Sequence, residues 1–239
     1  VGFEGIDLSS AKSRKIVVTN TPGANSLSVA ELTLGLTFAA LRGIVESAGN
    51  VRNSNWQVTR GFQLEGSRIG IIGFGRIGRL LAQKFRALGC DVWIFDPFIG
   101  EIQIIQDGFH PKTLDEIAKF CSIVSINAPG DVAIIDSNWL ANCQDGQIII
   151  NSARAQLVDE NAIANGLRSG KLFAYAADIL QGEANSSASP LLKDDIKHKV
   201  TITAHVGSQT QSAIDAMGKA SCDNLIAVLS GKPPINPVQ

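Results

Sequence analysis

Short apolar runs recur through the middle of the chain, and most are followed by a stretch with helical spacing. The runs are 68–72, 91–95, 123–126, 147–151, 173–178 and 199–203, rich in Ile and Val. Helical spacing is predicted over 76–88, 113–120, 137–142, 159–168 and 210–230. Near-continuous apolar strands that alternate with amphipathic helices predict a doubly wound parallel sheet covered on both faces, an α/β fold. Upstream, Lys15–Thr19 (KIVVT) reads as a further strand and Asn20-Thr-Pro-Gly23 as a turn. Ser26 or Ser28 can cap a helix that runs past Arg42 to about Ser47. Its segment LTLGLTFAAL is apolar nearly all round, so it is expected to be covered on more than one side, by a second domain or by another subunit. Residues 181–189 are polar and read as a loop, and Gly231-Lys-Pro-Pro cannot continue a helix.

One junction between a run and a helix carries chemistry. The strand Arg68–Ile72 leads into Gly73-x-Gly75-x-x-Gly78, with Arg76 and Ile77 opening the next helix. The first glycine permits a tight turn, the second lets the backbone approach a pyrophosphate, and the third lets the helix pack close to the strand. The free N–H groups and dipole of the helix start favour phosphate. A bare glycine turn is common, but here the next strand ends in Asp96, about 20 residues on, where a ribose-binding carboxylate is expected. Pro97 and Phe98 follow it, with no Arg or Lys to meet a 2′-phosphate, so NAD is expected over NADP.

In such sheets ligands sit beyond the carboxyl ends of the strands. There the chain places Arg154 after strand 147–151, Asp178 and Glu183 after strand 173–178, and His205 after strand 199–203. Each has an ordinary alternative: a surface ion pair for Arg154, a solvated loop position for Glu183, a helix cap for His205. Together they suit hydride transfer. A histidine can take and return a hydroxyl proton near neutral pH, a neighbouring carboxylate favours the imidazolium, and an arginine binds a carboxylate in two-point fashion. His110 precedes Pro111 in an expected loop and His198 sits in a solvated charged turn, neither at these ends, and no metal-binding motif is present.

Composition narrows the partners. The chain has 239 residues, 45% of them hydrophobic, and a net charge of −1, which offers no electrostatic case for nucleic acid or an anionic membrane. The apolar stretch Val29–Leu41 contains Glu31 and is shorter than the ~20 residues of a membrane span. Four scattered cysteines suit a reducing, cytoplasmic setting. The only methionine is Met217 and the chain opens at Val1 in mid-pattern, so it reads as a portion of a longer protein whose start, with any targeting segment, lies upstream.

These motifs, in this order, resemble the D-2-hydroxyacid dehydrogenases along essentially the whole chain. Val1-Gly-Phe-Glu-Gly-Ile-Asp7, Thr19-Asn-Thr-Pro-Gly with Ser28-Val-Ala-Glu31, Gly73–Gly78, Asp96-Pro-Phe98, Asn151-Ser-Ala-Arg154, Asp178 with Glu183, and Ala204–Thr210 all match family segments. The resemblance implies a Rossmann-type NAD-binding domain, a homodimer, and oxidoreduction of a small 2-hydroxy or 2-oxo acid, 3-phosphoglycerate among the candidates. It implies Arg154, Glu183 and His205 as catalytic residues. Contacts to NAD fall to Gly73, Gly75, Arg76, Ile77, Gly78, Asp96, Ala128, Pro129, Ala153, Arg154, Asp178, His205 and Gly207, and contacts to substrate to Val1, Gly2, Arg154 and His205. It divides the chain into a substrate-domain remnant and hinge (1–22), the NAD-binding domain with its dimer helix (23–204), and a return helix with a second remnant (205–239). Most of a substrate domain is then lacking, and the chain as it stands is expected to bind NADH and turn over little. The chain departs from the usual family pattern at Asn127, Ala155 and Ala184, where His, Gly and Pro are usual. A different class stays open, an NAD-sensing corepressor-like binding protein without turnover.

Overall fold

A computed structural model describes residues 2–3, 5–183 and 188–238, so that Val1 and Ala184 lie outside the described residues. In chain order the elements are α1 (Leu8–Ser13), α2 (Ser26–Arg42), α3 (Ile44–Arg52), β1 (Arg68–Ile72), α4 (Arg76–Ala87), β2 (Asp91–Phe95), α5 (Glu101–Gln106), β3 (His110–Pro111), α6 (Leu114–Phe120), β4 (Ile123–Ile126), α7 (Ser137–Asn142), β5 (Gln147–Asn151), α8 (Glu160–Ser169), β6 (Leu172–Ala177), β7 (Val200–Ile202) and α9 (Gln211–Leu229). The chain forms two compact units, Val1–Val29 with Gly207–Gln239, and Ala30–Val206. The first division falls inside α2, a few residues beyond the boundary expected at 22/23.

The unit Ala30–Val206 is built on a seven-stranded sheet in the order β3-β2-β1-β4-β5-β6-β7. Every strand pair is parallel. The alternation of side chains along each strand splits the apolar residues into two cores, one per face. Ile148 and Ile150 of β5 join Leu36 and Leu41 of α2 and Leu81 and Phe85 of α4 in one core. Ile149 joins Ile117 of α6, Trp139 of α7 and Ile163 and Leu167 of α8 in the other. Gly70 in β1 belongs to this plan: a Cβ there would lie 2.3 Å from Ile117 Cγ2, so α6 packs closer than any larger residue allows. Connections run to one side of β1 through β2 and β3 and to the other through β4, so the order reverses between β1 and β4. That reversal opens a crevice at the strands' carboxyl ends.

The other unit holds α1 and α9. Asn224 of α9 is 1% exposed and ties both chain ends, with its amide donating to Asn20 O at 3.2 Å and its oxygen accepting from Asn236 N–H at 2.9 Å.

Three expectations are corrected. Lys15–Thr19 forms no strand. It makes a single antiparallel bridge, Thr19 to Pro237, and Ile16 and Val17 stay exposed because no neighbouring strand pairs with them. The long helix does not run to Ser47, because Gly43 adopts φ 56° and starts a separate α3. The pair bends by 66°, and no single helix among the described residues is long and apolar enough to cross a membrane. His110 lies not in a loop but in β3, a two-residue edge strand where the missing N–H of Pro111 is tolerated. That strand and the six-residue α5 are too short to show a period.

Candidate active site

Beyond β1 the chain turns at Gly73 with φ 95°, a left-handed conformation that favours glycine. A Cβ at Gly73 would lie 2.6 Å from Ala128 N, so the turn sits hard against the exit of β4. At Gly78 a Cβ would lie 2.0 Å from Gly73 O, so only glycine lets α4 start so close to the turn. Gly75 is the reverse case: it is exposed, and a Cβ there would meet nothing within 4 Å. Gly75 is also the N-cap of α4, and no side chain caps it. The first turn of α4, with exposed Arg76, half-buried Ile77 and buried Gly78, carries the N–H groups that a helix start leaves without an intrahelical partner, next to the open space at Gly75. This is a cradle shaped for a diphosphate.

Asp96 follows β2 and fastens the cradle. Its Oδ2 accepts from Phe74 N–H at 2.7 Å and its Oδ1 from Phe98 N–H at 2.8 Å. An ionised carboxylate has about four lone-pair positions, so both oxygens retain capacity for ribose hydroxyls. Across the crevice, Asn127 donates its amide to Ser125 O and Oγ, both at 3.1 Å. Among the described residues its Oδ1 is buried without a hydrogen-bond partner, which leaves an acceptor beside Ala128 and Pro129. An exposed anion cradle, a ribose-side carboxylate and an orphaned acceptor, all in one crevice, fit a dinucleotide.

The reactive side chains come from the next three strands. Asn151 ends β5 and is fully buried; its Nδ2 donates to Arg154 O at 2.9 Å and its Oδ1 accepts from Ala153 N–H at 3.0 Å. The tight loop so made presents the half-buried Arg154, whose Nη1 donates to Ala153 O at 2.8 Å. Tyr175, buried in β6, adds a hydrogen bond to the Asn151 side chain, and burial pushes its phenol well above the usual range, so it stays neutral.

Asp178 follows β6 and organises the exit of β7. Its Oδ1 accepts from Thr203 Oγ1 at 2.6 Å and from Val206 N–H at 2.8 Å, and its carbonyl accepts from His205 N–H at 2.9 Å. Between those bonds His205 is held at φ 52°, left-handed and costly for a residue with a Cβ. Its Nδ1 lies 2.8 Å from Glu183 Oε1, and both side chains stay more than half exposed, at 59% and 55%. A cavity of about 390 Å³ adjoins them, walled by Ile179, Leu180, Leu192 and Ile202. Of the residues expected from the sequence, Arg154, Asp178, Glu183 and His205 stand on three adjacent strand ends of one unit. Gly2 and Gly207 belong to the other unit, where Gly207 O accepts from Ser28 Oγ at 2.6 Å. Asn151 and Thr203 were not singled out for these tasks. A polar residue closing a run of three isoleucines is the one local signal for Asn151.

Residues 34–207 match the family model described as D-isomer specific 2-hydroxyacid dehydrogenase, NAD binding domain. The chain belongs to this family. As a D-2-hydroxyacid dehydrogenase family member it takes NAD as its cofactor, and the cradle is where the geometry fits it. The chain is 31% identical to D-3-phosphoglycerate dehydrogenase of Archaeoglobus fulgidus, with 100% of this chain and 46% of the relative aligned. It is 33% identical to the enzyme of that name from Mycobacterium leprae, over 97% of this chain and 44% of the relative. A crystal structure of a Thermus thermophilus protein superimposes with a TM-score of 0.90 at 32% identity, covering 100% of this chain and 76% of that one. The chain therefore spans about half the length of the curated relatives it matches.

Proposed function

We propose that the protein transfers a hydride between NAD(H) and a small 2-hydroxy acid or its 2-oxo partner, with 3-phosphoglycerate the first substrate to test because the curated relatives above carry its name. The observation that carries this reading is the His205–Glu183 pair, at 2.8 Å, on a strained backbone clamped by Asp178. A strained left-handed histidine, in a segment that makes three bonds to one aspartate through Thr203, His205 and Val206, is a feature of functional sites more often than of packing.

Bound NAD supplies the hydride acceptor, and NADH the donor. Nδ1 of His205 faces Glu183, which leaves Nε2 as the atom that takes the substrate hydroxyl proton on oxidation and returns it on reduction. Glu183, facing Nδ1, sets the tautomer in which Nε2 accepts the proton. Arg154, its loop fixed by Asn151, offers a planar two-donor group to the substrate carboxylate or carbonyl oxygen. Asp96 receives the adenosine ribose and repels a 2′-phosphate. Ala153 and Asp178 are assigned to cofactor contact beside them. A homodimer through α2 and α3 is part of the same proposal, supported by the apolar side chains that α2 and α3 leave exposed: Phe38, Ile44, Val45 and Val51.

The test is NADH oxidation by the intact protein with hydroxypyruvate, its phosphorylated form and glyoxylate. Turnover of at least one is expected. Tight NADH binding with oxidation of none would contradict the reading and favour an NAD-sensing binding protein.

A further inference from the structure

The segment that carries Glu183 is tied down by a carboxylate to which the proposed chemistry gives no task. Glu160, the first residue of α8, is 5% exposed. Its Oε1 accepts from Gln181 N–H at 2.8 Å, and its Oε2 accepts from Ser189 Oγ at 2.6 Å. A buried carboxylate is costly unless its oxygens are hydrogen-bonded, and here both are used. The start of α8 favours its negative charge further. Gln181 is held a second time, by its own side chain on Val158 O at 3.4 Å. Two residues beyond Gln181 stands Glu183, whose N–H donates to Leu180 O at 3.4 Å. Glu183 has a side chain 55% exposed, so packing around that side chain does not hold its carboxylate in place. The backbone leading to it does.

We propose that Glu160 is a positioning residue: by holding Gln181 and Ser189 it fixes the backbone that sets Glu183 Oε1 against His205 Nδ1. This rests on the reading of His205 as the proton carrier, and it adds a residue that touches neither substrate nor cofactor. It also explains why Glu160 is glutamate rather than an apolar residue at a position only 5% exposed. The charged groups that face His205 are Glu183 through its side chain and Asp178 through the neighbouring backbone.

The chain has three histidines, so the His205 imidazole can be followed by NMR as a function of pH in the intact protein. Glu183→Gln sets the reference for a broken pair. In Glu160→Ala the His205 titration midpoint is expected to fall most of the way to that reference. Glu160→Gln is expected to restore it, because the amide can accept from Gln181 and donate to Ser189. The double variant Glu160→Ala/Glu183→Gln is expected to show no further fall. Should Glu160→Ala not fold, Ser189→Ala removes one tether and is expected to shift the midpoint in the same direction by less. In turnover, Glu160→Ala is expected to lower kcat for reduction roughly tenfold, part of the ~100-fold or more of acid catalysis, with NADH affinity within about twofold. A folded Glu160→Ala or Ser189→Ala protein with the wild-type midpoint would overturn the proposal, as would a double variant with additive shifts. If the wild-type protein reduces no oxo acid, the function proposed above fails, and the NMR series still decides whether Glu160 sets the pair.

Discussion

Single residues here often hold two roles, one structural and one aimed at a ligand. Asp96 binds the N–H groups of Phe74 and Phe98 and so joins the glycine turn to the chain after β2. The same carboxylate is the proposed acceptor for the ribose hydroxyls. Asp96→Ala is therefore expected to narrow the preference for NAD over NADP by about tenfold, ~1.4 kcal/mol, and also to lower the thermal midpoint. Calorimetric titration with both cofactors checks this, and a wild-type protein that binds the two equally would refute it. Asp178 is the parallel case. The sequence placed it at the crevice as a cofactor contact; the structure adds that it holds Thr203, His205 and Val206. Those partners lie 25 to 28 residues away, and no spacing rule reveals them.

At the scale of elements, close packing governs how the cradle is made. Gly78 has no room for a methyl group, since its Cβ would lie 2.0 Å from the Gly73 carbonyl oxygen. Gly78→Ala must push the start of α4 off the turn. It is expected to cost about 1–3 kcal/mol, as overpacking does, and to weaken NADH binding along with stability. Urea denaturation beside NADH titration measures both, and an unchanged pair of values would show that α4 is not seated as described. Strands β1, β2, β4 and β5 were legible to the residue because runs of Ile and Val between turn residues leave few alternatives. Lys15–Thr19 has a similar apolar run and forms no strand, because strand formation needs a neighbour and the described residues offer only the single bridge from Thr19 to Pro237. The candidate site was legible as far as strand ends reveal it, which is where Arg154, Glu183 and His205 stand. What positions them was not. Asn151, Thr203 and Glu160 act through contacts that exist only once the sheet is formed.

For the whole molecule, the apolar exposure on α2 and α3 bears on assembly. Ile44 and Val45 are each at least half exposed beside Phe38 and Val51, an arrangement that a second copy would cover. Light scattering at micromolar concentration is expected to give the mass of a dimer, and the double variant Phe38→Glu/Val45→Glu that of a monomer. A monomeric wild-type protein would remove this part of the proposal. The most direct test of the central claim, that His205 carries the proton for hydride transfer on this NAD-binding frame, is NADH oxidation by the intact protein and its His205→Asn variant with the best oxo acid. The account predicts a kcat at least ~100-fold lower in the variant with NADH affinity preserved. A variant that keeps the wild-type kcat would contradict it.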